Sequence, residues 1–162
     1  MKPRFDTAVR EHGPTVLRVC RAVVGSDPEA EDAWSETFLA ALRSWPDLAD
    51  STDIRAWLVT VAHHKSVDVI RRRVRGAVPL ADPPEHSTGG PSPSTDVLLD
   101  LRRAVAALPT RQRLCVAYHH LAGLPYDQIA GLIGGTAAAA RRAAADGIAA
   151  LRTSPTLATL EF

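Results

Sequence analysis

An all-α fold of two small helical domains joined by a flexible linker, the second a helix-turn-helix, is predicted by three features. Apolar residues recur every three or four positions over most of the 162 residues. Only 5% of the chain is aromatic, and Ala and Leu outnumber the β-branched residues that favour strands. Residues 77–95 hold five prolines, three serines and two glycines, including Pro83-Pro84 and Gly89-Gly90-Pro91, as a linker between two compact units does.

The elements follow in order. Phe5, Val9, Val16, Cys20 and Val23 form a helical stripe interrupted near Gly13-Pro14, which fits one kinked helix or two short ones, ended by Gly25. Asp27-Pro28 opens a second helix as cap and first-turn residue, with Ala30, Ala33, Trp34, Thr37, Phe38, Ala41 and Leu42 on one buried face, and Pro46 stops it. Asp53 caps a third helix in which Ile54, Trp57, Leu58 and Val61 face the core, running into an arginine-rich stretch that ends near Gly76. Beyond the linker, Leu98, Leu101, Val105 and Leu108 mark a fourth helix closed by Pro109. A fifth runs from about Thr110 to Ala122 with Leu114, Ala117 and Leu121 inward. A short helix over Tyr126–Ile133, a Gly134-Gly135 turn, Thr136 as a cap and an Ala-rich helix to about Arg152 complete a helix-turn-helix pattern. The expected domains are therefore 1–76 and 96–153, with 77–95 as linker and 154–162 as a tail.

The net charge of +1 argues neither for nor against nucleic acid, but its distribution is informative. Residues 1–60 carry ten acidic and seven basic side chains, whereas 61–78 carries Lys65, Arg71, Arg72, Arg73 and Arg75 against Asp68 alone. Glu29, Asp32 and Glu36 fall at i, i+3 and i+7 of the second helix, an acidic stripe beside the buried one. Taken alone, each charged face reads either as solvated surface or as a contact surface, acidic for a basic partner and basic for a phosphate backbone. Cys20 and Cys115 lie far apart on apolar positions and read as buried free thiols. Neither a signal peptide nor a run long enough to cross a bilayer is present, so a soluble, cytoplasmic protein without a membrane partner is expected.

The segment from Glu29 to Leu39 (EAEDAWSETFL), followed by Ala56-Trp57-Leu58 and by Asp68-Val-Ile-Arg-Arg-Arg73, resembles the first conserved domain of extracytoplasmic-function sigma factors of the sigma-70 family. Leu108-Pro-Thr-Arg-Gln-Arg113, Gly123-Leu-Pro-Tyr-Asp-Gln-Ile-Ala130 and a final helix ending Ala150-Leu-Arg152 resemble the family's C-terminal helix-turn-helix domain. The resemblance implies promoter recognition and transcription initiation. Its implied partners are core RNA polymerase (the clamp helices of the largest subunit and the flap), promoter DNA and an anti-sigma factor. It assigns Glu29, Asp32, Glu36 and Leu39 to polymerase. To the minus-10 DNA it assigns the third helix with His64, Lys65, Arg71, Arg72, Arg73 and Arg75, and to the minus-35 element the second domain with Arg111, Arg113, Thr136, Arg141 and Arg142. It implies no cofactor and no catalytic residue. The loop Ser44–Thr52 corresponds to the family's pocket for a flipped base, with Trp45 as a stacking surface, although a plain loop fits equally; Trp57 is placed on the core side by its spacing to Ile54 and Val61.

The chain departs from the family in its reading helix, where Arg141 and Arg142 are followed by three alanines and Asp146. Pro125 stands where a capping Ser is common, His64 stands for an Asn and Ser35 for a Gln. A degenerate sigma-like regulator that binds polymerase, DNA or a regulatory partner without ordinary minus-35 recognition is therefore the alternative. A helix-turn-helix repressor without a polymerase partner leaves the acidic-stripe domain unexplained. Metal binding is disfavoured because the adjacent His63-His64 and His119-His120 point about 100° apart on a helix, and Cys115 with His119 supplies only two ligands.

Overall fold

The computed structural model describes residues 1–76 and 93–157. Helix α1, Phe5–Val24, is a single element with Pro14 inside it, and Trp34 donates its indole N–H to the Gly13 carbonyl at 3.0 Å beside the proline. Gly25 closes it at φ 84°. Helix α2 spans Asp27–Ser44 and α3 spans Ile54–Arg75; Asp53 caps α3 by accepting from the Ala56 N–H at 3.0 Å. Asp27 does not cap α2 as expected. The N-cap position falls to Ser26, and the Asp27 carboxylate turns to Arg21 at 3.3 Å and Arg102 at 3.5 Å. Val16, Cys20, Ala30, Ala33, Phe38, Ala41, Leu58 and Ala62 form the core between these three helices. Leu42 is not among them, contrary to expectation: α2's apolar arc is wider than the surface its neighbours cover, and Leu42 is 51% exposed.

Helix α4 spans Pro93–Ala106 and so begins inside the segment read as linker, with proline in the first turn, where its missing N–H costs nothing. The remainder of that segment, 77–92, lies outside the described residues, as does the tail from 158. Ala104 and Leu108 are buried, but Leu98 and Leu101, expected inward, stand half-exposed. Helix α5, Thr110–Val116, runs on into one π-turn, Ala117–Leu121, in which the Ala122 N–H bonds the Ala117 carbonyl at 3.1 Å. Such a turn inserts one residue and shifts the face that follows. The inward position past the turn is therefore Ala122, which is buried, while Leu121, expected inward, is 42% exposed; Tyr118, one helical turn beyond Leu114, is fully buried. Helices α6, Tyr126–Ile133, and α7, Ala137–Arg152, flank Gly134 and Gly135, whose φ values of 87° and 86° suit only glycine. Among the described residues there is no strand, and no helix is long and apolar enough to cross a membrane.

The two halves share a core. Val19, Val23 and Val59 of the first pack with Cys115, Tyr118, Ala122, Leu124, Ile129 and Ala144 of the second. At its centre the Tyr118 hydroxyl is hydrogen-bonded to Nδ1 of His63, with ring centroids 5.5 Å apart. Burial raises the phenol's pKa and keeps it protonated as the donor, while burial and then the neighbouring His64 lower that of His63 from the ordinary 6.5. As pH falls through 6.5 the unfolded chain therefore takes up this proton before the folded one does. Stability should fall there and level off once the folded histidine titrates. Urea titrations across this range should show a shallower loss in His63→Gln than in the unaltered chain.

Candidate functional site

Helix α2 carries its acidic residues on the face turned from the core. Asp32 is exposed, and Leu39, one to two turns further along, is 55% exposed with Leu42 beside it. One carboxylate and two large apolar side chains of α2 thus stand in solvent. The neighbouring carboxylates are engaged. Glu36 accepts from Arg72 at 2.8 Å, and Glu29 is ion-paired with Arg73, which also donates to the Val24 carbonyl at 2.9 Å. Spacing within α2 gave no sign of these partners, because they arrive from α3.

On α3, His64, Arg71 and Arg75 are exposed and Lys65 half-buried; Arg71 lies 4.0 Å from Asp68. His63, next to these in sequence, is taken into the shared core. The arginine cluster is thus divided: Arg72 and Arg73 turn toward α2, whereas Arg71 and Arg75 border a shallow apolar depression with Ile70 and Val74. Trp57 packs against the core, as its spacing predicts. Trp45 sits edge-on to Phe5 at 5.2 Å and 6.2 Å from Trp57, and Lys2 fastens the loop by donating to the Trp45 carbonyl and, at 2.8 Å, to that of Leu48. Lys2, with no periodic or motif signal, was not legible as the residue that holds this loop.

In the second half, Arg111 bonds the Gly134 carbonyl at 2.9 Å and so ties the N-terminus of α5 to the turn before α7. Arg113 reaches the Ala106 carbonyl at 3.3 Å. Thr136 caps α7, its hydroxyl accepting from the Ala139 N–H at 3.1 Å. Arg141 lies over the Tyr126 ring at 5.2 Å, and that ring stacks on His119 at 4.1 Å. Arg142 opens onto a groove between α5 and α7 that it shares with Arg111, Gln112 and Asp146.

The alanines of α7 have a packing reason. Ala140, Ala143, Ala144 and Gly147 form its buried face, and small side chains let it lie close to α5. A Cβ on Gly147 would stand 2.6 Å from Cγ2 of Val116, a stiff β-branched side chain. Gly147→Ala, stabilising by about 1 kcal/mol in an exposed helix, should here destabilise by about 1–3 kcal/mol, read as a lower urea midpoint.

No group of three or more metal-ligating side chains occurs among the described residues. Two family models match in order: sigma-70 region 2 over residues 8–76 and sigma-70 region 4 over 98–151. The chain is 38% identical to the ECF RNA polymerase sigma factor SigF of Caulobacter vibrioides over 74% of its own length and 70% of that protein's. It is 31% identical to SigK of Mycolicibacterium vanbaalenii over 91% and 76% respectively, and 28% identical to SigE of Mycolicibacterium smegmatis, of which it spans 54%. Among solved structures, the sigma factor RpoE in complex with the anti-sigma factor NepR from Bartonella quintana shares the fold at a TM-score of 0.73, 18% identity and coverage of 97% of this chain and 98% of that one. CnrH in complex with the cytosolic domain of CnrY does so at 0.65 and 19%, covering 91% and 84%. With the region 2 and region 4 matches in sequence order, and relatives above 30% identity covered over more than two thirds of their length, the chain belongs to the extracytoplasmic-function sigma factors of the sigma-70 family.

Proposed function

We propose that this chain is an RNA polymerase sigma factor that attaches to core polymerase through α2 and directs initiation by holding promoter DNA with α3 and the helix-turn-helix. The observation that carries the reading is the exposed row of Asp32, Leu39 and Leu42 on α2. Desolvating two leucines against a partner while pairing a carboxylate with a cation is what a stable protein interface needs. Arg71 and Arg75, with His64 and Lys65 on the same helix, supply phosphate contacts of a salt-dependent kind. Arg142 and Arg111, at the groove between α5 and α7, supply them for the second domain. The test is transcription in vitro: core polymerase with a library of genomic fragments should yield start sites that appear only when this chain is added, and their absence would reject the reading.

A second reading is favoured by the state of α7. Arg141 is drawn over Tyr126, and Asp146 faces the same groove as Arg142. A sigma-like regulator that binds polymerase through α2 yet reads little sequence at minus-35 fits this helix. It would give stable polymerase binding together with start sites that share no upstream element.

A further inference from the structure

Building on the reading of α2 as a polymerase surface and α3 as a DNA surface, we propose that Glu29 and Glu36 hold Arg73 and Arg72 away from nucleic acid in the free chain. Engagement of those carboxylates by a cationic partner surface then releases both guanidinium groups to phosphate. The two surfaces would thereby be one exchange system rather than two independent sites. Glu36 binds Arg72 at 2.8 Å, and Glu29 binds Arg73 across the same seam between α2 and α3, where Arg73 also donates to the Val24 carbonyl at 2.9 Å and gives up that bond on release. Both glutamates belong to the acidic stripe whose middle member, Asp32, is exposed and makes no ion pair among the described residues. A basic helix laid along that stripe meets Asp32 directly and competes with the arginines on either side of it.

The side chains of both pairs are about one third to one half exposed. Ion pairs so open to water contribute little net free energy, so each can give way to a partner of higher charge density without unfolding the helices that carry it. Released arginines lie next to Arg71 and Arg75 and extend that basic surface. Linkage makes the effect reciprocal: if polymerase raises the affinity for DNA through this exchange, DNA raises the affinity for polymerase by the same factor.

Glutamine in place of both glutamates removes the charge and keeps the shape. The isolated full chain is titrated with a short mixed-sequence DNA duplex over a range of salt concentrations, comparing Glu29→Gln/Glu36→Gln with Glu11→Gln/Glu31→Gln. The control makes the same change in net charge at exposed glutamates without ion pairs among the described residues. Helical content by circular dichroism verifies that both variants are folded. The paired-site variant should bind about three- to ten-fold more tightly than the control. Its log affinity should fall more steeply with log salt, by up to about 0.9 for each arginine freed. A gain no larger than the control's, or a loss, overturns the proposal and leaves the two pairs as staples of the helix seam. Co-elution of the unaltered chain with core polymerase judges the underlying reading separately. Binding to core without the DNA gain rejects only the exchange; the DNA gain without binding to core rejects the polymerase assignment.

Discussion

Replacing Tyr118 with Ala should destabilise both halves of the chain together by about 3–5 kcal/mol, the usual range for removing a buried aromatic ring. The ring is fully buried where the two family domains meet, and its hydroxyl satisfies the His63 imidazole on α3. Tyr118→Phe keeps the ring but leaves Nδ1 of His63 without its partner in a dry site, which should cost about 1–3 kcal/mol. The chain provides its own reporter, because Trp34, Trp45 and Trp57 all lie in the first half whereas Tyr118 lies in the second. Tryptophan fluorescence during urea unfolding should show one transition in the unaltered chain and a lower midpoint in Tyr118→Ala. Were the tryptophan-reported midpoint unmoved while helicity showed the second half melting early, the shared core would contribute nothing to cooperativity.

The second large effect is expected at the exposed row of α2. Asp32→Lys combined with Leu39→Asp should weaken binding to core polymerase by about 2 kcal/mol or more, roughly 30-fold, the scale of losing anchor residues from an interface centre. These two residues are chosen over Glu29 and Glu36 because neither is tied to α3. Asp32 is exposed and Leu39 stands 55% in solvent, so helical content and melting temperature should change little. Equilibrium titration of labelled core polymerase with each variant checks it. Equal affinity for variant and unaltered chain would return the α2 stripe to the status of a solvated face.

Much of the fold was legible because it is local. The 3.6-residue spacing of Phe5, Val16, Cys20 and Val23, the cap at Asp53, Gly25 and the paired glycines before α7 each specify an element within a few residues of themselves. What escaped was tertiary. Plain α-helical periodicity puts Leu121 inward, and one π-turn moves that buried position on to Ala122. Leu98 and Leu101 share a helical face with Leu108, yet among the described residues α4 is buried only near its C-terminal end. The charged surfaces show the same limit. Their residues could be read from composition and motif, but the pairing of Arg72 with Glu36 and of Arg73 with Glu29 joins positions far apart in sequence and divides the arginine cluster in two. Nor does sequence distinguish His63 from its neighbour His64, because Tyr118, which takes His63 into the core, comes from the other half.

On the proposed reading, this chain attaches to core RNA polymerase through α2. Size-exclusion chromatography of purified core polymerase with the full chain tests it most directly. The unaltered chain and Tyr118→Phe should both form a stoichiometric complex, and Asp32→Lys/Leu39→Asp should form it only weakly. A folded chain that elutes apart from core polymerase, or a complex indifferent to both α2 substitutions, would contradict that reading.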